Sequence, residues 1–331
     1  MATMRTQPFP RPRTAAHDLR FAGIVVGFDG TWHSRPALER AANEAVERRL
    51  ALTVLTVVPL PSDPHLSVRA QDADAKARWE QALERVTTAT ADLGRDHPGL
   101  SVSLEVVRED ELDQVERDIG NAGLMVLGDS GSAGPAAFLL GSTSRQLVRG
   151  TRCPILVVPD GESTARQSRA VVDAGHATVL TGAVLVGAGG GPAVVGLLRL
   201  AGAEAMRRGN RLCVLHSYDG SHDRQAVSDD TAHPAVVQTR VEQWVEAAAL
   251  DAEVNVTTIL TPDPPVDALV RLGRSAELVV VGSRGPIAMA RLVMGSVSRG
   301  VLDAAATPIL VVPHPVAQAV AVPAAASPVR G

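Results

Sequence analysis

Two glycine- and serine-rich stretches have the residue types and spacing of a phosphate-binding loop. In Gly-x-x-Gly, the glycines allow turns in which successive backbone N–H groups point at an anion. Nine residues separate each Gly-x-x-Gly from a Gly-Ser segment, which begins a predicted helix. The first backbone N–H groups of a helix also bind anions. The candidate binding residues are Gly128, Ser130, Gly131, Gly141, Ser142 and Thr143, and then Gly282, Arg284, Gly285, Gly295, Ser296 and Val297. The serines could instead cap their helices, with the glycines as turn residues.

The two stretches are copies of one another. Each follows a short apolar run and precedes a helix and a proline-bounded apolar run, at residues 154–159 and 308–313. Equivalent residues, from the first glycine to the last proline, are 154 positions apart. This period indicates an internal duplication, so the chain should contain two related units.

Short apolar runs alternate with helical patterns in both units. Strands are predicted at residues 22–27, 52–58, 101–107, 124–127 and 154–159, and again at 184–187, 211–216, 254–260, 278–281 and 308–312. Because the runs are apolar throughout, they are typical of parallel strands that are covered on both faces. We therefore predict an α/β fold of two tandem five-stranded, doubly wound, Rossmann-like sheets. The expected domains are residues 21–159 and 181–313, with a linker at 160–180 and disordered tails at 1–20 and 314–331.

The predicted topology brings the candidate residues to one edge of each sheet. Ligands of doubly wound sheets bind at the carboxyl ends of the strands, where the winding direction reverses. Asp29 follows the first strand, and the glycine motif of the first unit follows the fourth. The second unit has Gly189 where Asp29 would align, so only the first unit places a carboxylate beside its glycine motif.

Composition narrows the function classes. The chain has 331 residues, of which 45% are hydrophobic, 21% charged and only 2% aromatic, and its net charge is -4. This balance favours neither a nucleic-acid-binding face nor aromatic stacking of single strands. The sequence lacks an apolar run of the length that spans a membrane, about 18 residues or more. The two cysteines, Cys153 and Cys213, lie in strand-like sequence and are expected to be buried free thiols, which fits a cytoplasmic protein.

These residues resemble the universal stress protein family in its tandem form. The resemblance lies in the strand-Val-Gly-x-Asp start of the first unit, in Gly-x2-Gly-x9-Gly-Ser, and in Pro-Ile-Leu-Val-Val-Pro at the end of each unit. It implies that Asp29 contacts the adenosine part of ATP and that the glycine motif holds the phosphates, with or without Mg²⁺. Val57, near the end of the second strand, would be an adenine contact. The resemblance also implies that the two units pack as a pseudo-dimer through their edge strands.

The two copies depart from the family pattern in opposite ways. Asp129 lies inside the first phosphate loop, where a carboxylate repels phosphate unless it points to solvent or holds a cation. The second loop has Ser283 there, followed by Arg284, which could pair with phosphate. Residues 187–192 have glycines but fail the dinucleotide spacing, because Pro192 occupies the third glycine position.

We therefore expect an ATP-binding regulator or sensor in the stress response, with an adenine nucleotide as its ligand. Efficient hydrolysis is not expected, because the sequence offers no evident general base. Two alternatives remain, namely an interaction protein with degenerate glycine loops and a slow ATPase. The sequence leaves open a homodimer or a protein partner, and it indicates neither a metal site nor a nucleic-acid or membrane partner.

Overall fold

The computed structural model describes residues 21–60, 68–128, 144, 147, 152–159, 179–218, 234–283 and 295–321. Within these ranges the chain forms two compact units. The first contains β1 (Ile24–Gly27), α1 (Arg35–Arg48), β2 (Leu52–Val58), α2 (Val68–Asp96), β3 (Val102–Arg108), α3 (Leu112–Ile119), β4 (Leu124–Gly128) and β5 (Ile155–Val158). Short 3-10 helices, Trp32–Ser34 and Glu109–Glu111, precede α1 and α3.

The second unit repeats this order. Its elements are β6 (Val184–Gly187), α4 (Val194–Arg207), β7 (Leu212–Ser217), α5 (Pro234–Ala248), β8 (Val256–Thr261), α6 (Pro265–Gly273), β9 (Leu278–Gly282), α7 (Ser296–Ala304), β10 (Ile309–Val312) and α8 (His314–Ala321). The helices of this unit that follow β6 and β7 pack against each other, and α8 packs against α4.

The strand orders confirm the predicted doubly wound α/β fold. In the first unit the order is β3-β2-β1-β4-β5, and in the second it is β8-β7-β6-β9-β10. Ile24 of β1 pairs in parallel with Leu52 on one side and Leu124 on the other. Val184 of β6 pairs in the same way with Leu212 and Leu278. In each unit the winding therefore reverses at the first strand.

Small apolar residues make the core. Val25 and Val26 of β1 are fully buried, as are Ala37, Ala41 and Ala45 along one face of α1. Alanine at these positions lets α1 approach β1 and β4 closely, which suits a chain with few aromatic residues.

Each unit also buries a carboxylate that the sequence analysis did not single out. Glu44 of α1 is 1% exposed and accepts hydrogen bonds from Arg40 Nε at 3.0 Å and Arg48 Nε at 2.9 Å. Glu204 of α4 is the equivalent residue, and its carboxylate pairs with Arg207 and Arg208. Burial of these carboxylates is compatible with stability because each one is paired.

The cysteine prediction is confirmed, since Cys153 and Cys213 are both free and buried. Burial raises the pKa of the Cys153 thiol to about 12 and also raises that of Cys213. Across the described ranges, the structure contains no helix with the length and apolarity needed to cross a membrane.

Two boundaries differ from the sequence-based expectation. The sequence predicts a loop at residues 62–70, but helix α2 already begins at Val68, because Arg69, Ala70 and Gln71 are good helix formers. Residues His314–Ala321, expected to be part of a disordered tail, form α8, whose Ala317 is buried. Packing of this helix on α4 supplies the stabilisation that a short isolated helix lacks. The N-terminal tail, the remainder of the C-terminal tail and residues 160–178 of the linker lie outside the described residues.

Candidate functional site

The candidate site of the first unit lies at the carboxyl ends of β1 and β4. These neighbouring strands lead to opposite sides of the sheet, so the crevice beyond their ends is the topological switch point. Gly27 ends β1 and is followed closely by Asp29, while Gly128 ends β4. The structure thus places Asp29 and the first glycine of the motif at one edge of the sheet.

Hydrogen bonds from its own loop hold the Asp29 carboxylate in one orientation. Asp29 Oδ1 accepts from the Thr31 backbone N–H at 2.8 Å and from the Thr31 hydroxyl at 2.7 Å. It also accepts from the Ser34 hydroxyl at 2.7 Å. No described residue donates a hydrogen bond to Oδ2 in the structure. One carboxylate oxygen therefore organises the loop, and the other accepts no hydrogen bond from the described residues.

The backbone beneath Asp29 is fixed by β2. The Phe28 N–H donates to the Leu55 carbonyl at 2.9 Å, and the Thr56 hydroxyl donates to the Phe28 carbonyl at 2.6 Å. Val57 follows Thr56 near the end of β2 and is half-buried, as a wall residue of the crevice would be.

Gly128 joins the end of β4 to the loop that carries Asp29. A Cβ at this position would lie 3.3 Å from Ser34 Cα and 3.4 Å from both the His33 carbonyl oxygen and Ala37 Cβ. Ser34 therefore contacts Gly128 through its backbone and Asp29 through its hydroxyl. A Cβ here would press on the start of α1, so glycine favours the close packing of β4 against it.

The remaining candidate residues of the first motif, together with two from the second, lie outside the described residues. They are Ser130, Gly131, Gly141, Ser142, Thr143, Arg284 and Gly285. Asp129, the carboxylate inside the first loop, also lies there. Their roles stay predictions.

The second unit has a different loop after its first strand. Gly187 ends β6 as Gly27 ends β1, and the Ala188 N–H donates to the Leu215 carbonyl at 2.8 Å, as that of Phe28 does to Leu55. A Cβ added to Gly189 or Gly190 would meet no atom within 4 Å. The position equivalent to Asp29 therefore lacks a carboxylate, and no other atom fills the space where a side chain would stand.

His216 takes the structural role of Thr56 in the second unit. Its Nδ1 lies 2.7 Å from the Ala188 carbonyl oxygen, which can only accept, so Nδ1 carries the proton in this bond. The ring also makes an edge-on contact with Trp244, at 5.4 Å between centroids. From the sequence, the position of His216 at the end of this strand favours a local hydrogen bond over a role in the site, and the structure confirms such a bond.

In the second motif, Ser283 has a structural role. Its N–H donates to the Val312 carbonyl at 2.8 Å, and its hydroxyl accepts from the His314 N–H at 3.0 Å. These bonds tie the end of β9 to β10 and to the start of α8. Gly282 has room for a Cβ, since its nearest neighbour would be a Leu197 methyl at 3.5 Å.

The Gly-Ser segment of the second motif opens a helix, as expected. Gly295 is buried immediately before α7, Ser296 is its exposed first residue, and Val297 is half-buried. The Ser298 hydroxyl donates back to the Gly295 carbonyl at 3.1 Å. Gly282 and this helix start therefore belong to the same unit, but the loop that would connect them around a ligand is outside the described residues.

A model of the universal stress protein family matches residues 21–159 and 181–313. The chain belongs to the universal stress protein family. It is 31% identical over 304 residues to a universal stress protein of Mycobacterium tuberculosis (strain ATCC 25618 / H37Rv), covering 87% of this chain and 96% of that protein. A universal stress protein of Mycolicibacterium smegmatis is 30% identical over 301 residues, with 88% and 96% covered.

The fold is shared with solved universal stress proteins. The crystal structure of one from Archaeoglobus fulgidus is similar over 89% of this chain and 99% of that chain, with a TM-score of 0.61 and 17% sequence identity. Both tandem repeats of this universal stress protein thus have the family's α/β architecture.

Sequence reasoning found Asp29 but missed the two residues that orient it. Thr31 lies two residues after Asp29, which is the spacing of an Asx turn. This spacing could have indicated from the sequence that Thr31 bonds to the Asp29 carboxylate. Ser34 could not be recognised in this way, since its contact with Gly128 depends on the packing of α1 against β4. Among the described residues, no group of three His, Cys, Asp or Glu side chains is arranged to hold a metal ion.

Proposed function

We propose that this universal stress protein binds ATP at the first unit and acts in the stress response as a nucleotide-sensing regulator. The observation that carries the proposal is the orientation of Asp29 at the switch point. Three hydrogen bonds to Oδ1 preorganise the carboxylate, and Ser34 connects it to Gly128 at the start of the glycine motif. Preorganised groups bind more tightly because less ordering is required when the ligand arrives.

In the proposed complex, Asp29 Oδ2 accepts a hydrogen bond from a ribose hydroxyl or from the adenine amino group. Val57 contacts the base from the end of β2, and Gly131, Gly141, Ser142 and Thr143 hold the phosphates. A hydrogen bond to a charged acceptor contributes about 1.5–3 kcal/mol. The second unit lacks this carboxylate, so we propose that it binds ATP more weakly.

Binding rather than turnover is the proposed output. Asp29, the carboxylate at the described part of the site, is held in place by three donors, an arrangement suited to binding rather than to proton transfer. Nucleotide occupancy would then change the partner that the protein selects, whether another protein or a second copy. The buried thiols Cys153 and Cys213 support a reducing, cytoplasmic location.

The test begins with the purified full-length protein. We expect denatured protein to release adenine nucleotide, and the emptied protein to give saturable heat on calorimetric titration with ATP, with and without Mg²⁺. Absence of both signals at millimolar ATP would overturn the proposal and support the nucleotide-free alternative. Release of phosphate by the wild type that disappears in Gly131→Val would support the slow ATPase instead.

The unequal role of the units is tested by matched substitutions in the two loops. Gly131→Val should weaken ATP binding more than Gly285→Val, since the first loop works together with Asp29. The reverse order would show that Arg284 and its loop outweigh the carboxylate.

A further inference from the structure

Helix α8 is joined to the second glycine motif by its first residue. The N–H groups at the start of a helix have no partner inside the helix. Here the first of them, that of His314, donates to the hydroxyl of Ser283, the second residue of the motif, at 3.0 Å. Ser283 is only 8% exposed, so the bond is shielded from water. The start of α8 and the start of the motif therefore hold one another in place.

The other end of α8 is joined to a second helix through Arg199 of α4. Its Nη1 donates to the Val320 carbonyl, in the last turn of α8, at 2.7 Å. Its Nε and Nη2 donate to the Ala248 and Ala247 carbonyls, in the last turn of α5, at 2.9 and 3.1 Å. The carboxyl end of a helix is its negative end, so one guanidinium stabilises two helix ends at once.

Helix α5 extends this connection to the loop after β6. Trp244 lies one turn before Ala248, and its ring contacts that of His216. His216 Nδ1 in turn donates to the carbonyl of Ala188, the first residue after β6, at 2.7 Å. Two sets of contacts thus lead from α8 to the carboxyl edge of the second sheet. One passes through Ser283 at the end of β9, and the other passes through α5 to the end of β6.

The connection through Arg199 is specific to the second unit. Helices α1 and α4 align through their buried carboxylates, Glu44 and Glu204. In this alignment Arg199 corresponds to Glu39, which pairs with Arg35 of its own helix. A carboxylate cannot donate a hydrogen bond to the carbonyls of a helix end. At this position α1 therefore lacks a group that could join two helix ends.

Helix α8 is short enough to be released while the rest of the unit stays folded. It has eight residues, and among residues 314–320 only Ala317 is buried. A helix of this length is not stable alone, so it persists only while it is docked on α4. Segments with few buried contacts open locally at a small cost in free energy. Small changes in the groups that hold either end should therefore change the docked fraction of α8.

We propose that α8 is a regulatory latch, a helix whose docking keeps the carboxyl edge of the second sheet in order. Docked on α4, it holds Ser283 and the loop after β6 in place, and its release loosens both. Groups that are ordered in advance bind a ligand more tightly, and coupling of this kind is reciprocal. ATP at this edge should thus favour docked α8, which makes α8 the element that responds to nucleotide occupancy. This coupling to ATP rests on the proposed function, whereas the latch itself does not.

Residue-resolved amide hydrogen exchange of the full-length protein, without nucleotide, tests the latch. Ala317→Asp places a carboxylate on the buried face of α8 and should release the helix. Exchange should then rise at least about threefold in α8 and also at the Ser283 and Ala188 amides, which are hydrogen-bonded at the sheet edge. Ala319→Asp is the matched control, because Ala319 is exposed on the same helix, and it should leave both amides unchanged. Faster exchange confined to α8, no faster exchange anywhere, or an equal effect of the control would refute the proposal.

Ser283→Ala tests the same link in the opposite direction, from the motif to α8. The substitution removes the acceptor of the His314 N–H, so exchange across residues 314–321 should rise at least about threefold. Ser275→Ala is the control and should leave α8 unchanged, since Ser275 makes no hydrogen bond to α8 within the part of the chain that the structure describes. Equal exchange of α8 in the wild type and Ser283→Ala would refute the latch, even if Ala317→Asp fails to fold.

Addition of millimolar ATP separates the latch from the proposed function. Where ATP slows exchange at the Ser283 amide, it should also slow exchange across α8, at least about threefold. Slower exchange at Ser283 with α8 unchanged would refute the coupling. If ATP slows neither, the second unit does not bind ATP, which contradicts the proposed function there. The two ligand-free variants then decide on the latch alone.

Discussion

Substitution of the first glycine in each motif tests how the sheet edge is built. A Cβ on Gly128 would lie 3.3–3.4 Å from the Ser34 and His33 backbone and from Ala37 Cβ, atoms that cannot turn aside as a flexible side-chain end can. Overpacking of a well-packed site costs about 1–3 kcal/mol. Restricting the unfolded chain by Gly→Ala stabilises by about 0.4–1 kcal/mol. The net loss for Gly128→Ala should therefore be about 1 kcal/mol and at most about 2.5 kcal/mol.

Gly282→Ala is the matched control, because its Cβ would make an ordinary contact of 3.5 Å with a Leu197 methyl. We expect its free energy of unfolding to be unchanged or to rise by up to about 1 kcal/mol. Urea unfolding followed by circular dichroism would measure both variants. Equal effects of the two substitutions would refute the close packing of β4 against the start of α1. Because Ser34 contacts both Gly128 and Asp29, Gly128→Ala should also weaken ATP binding.

Three further predictions concern groups that the structure buries or ties down. Glu44→Gln should lower the free energy of unfolding by about 2 kcal/mol in urea melts. This loss is smaller than the usual figure for a broken buried pair, about 3–5 kcal/mol, because the side chains of Arg40 and Arg48 are 23% and 18% exposed. The exposed residue Glu47 provides the control, and an equal loss in Glu47→Gln would contradict the burial argument. Arg199→Met should increase amide hydrogen exchange in residues 314–321, since α8 loses the donor to the Val320 carbonyl, while unchanged exchange would show that packing alone holds this helix. Burial raises the pKa of Cys153 from 9.0 to about 12, so the folded state retains a proton that the unfolded state releases, and stability should fall as pH rises through that interval. Replacement of Cys153 by Ala should reduce this loss in pH-dependent melts, and an identical pH profile would refute it.

The order of elements was predictable because each strand is a short apolar run with clear turn residues on both sides. Leu52–Val58 matches the expected strand at both ends, since Pro59 and Pro61 cannot continue it. Helix α8 was missed because its stability comes from contact with α4 and Arg199, which lie more than a hundred residues earlier in the sequence. The packing of the two units as a pseudo-dimer stays a prediction.

The candidate site was predictable in its location but not in its geometry. Asp29 and Gly128 follow the first and fourth strands, so the topology alone brings them to one edge. The roles of Ser34 and Ser283 depend on contacts between segments distant in sequence. Glu44 and Glu204 were missed because a glutamate four residues before an arginine is also the pattern of an exposed helix pair.

The central claim is that a positioned carboxylate makes the first unit the ATP site. Calorimetric titration of ATP into wild type, Asp29→Ala and Asp113→Asn tests it most directly. Asp113 is the control because it is an exposed carboxylate of α3, which follows the outer strand β3 and not β1 or β4. The account predicts that Asp29→Ala weakens ATP binding at least about tenfold, because one charge-assisted hydrogen bond is lost. It predicts that Asp113→Asn binds ATP like the wild type. ATP affinity that is unchanged in Asp29→Ala would contradict it.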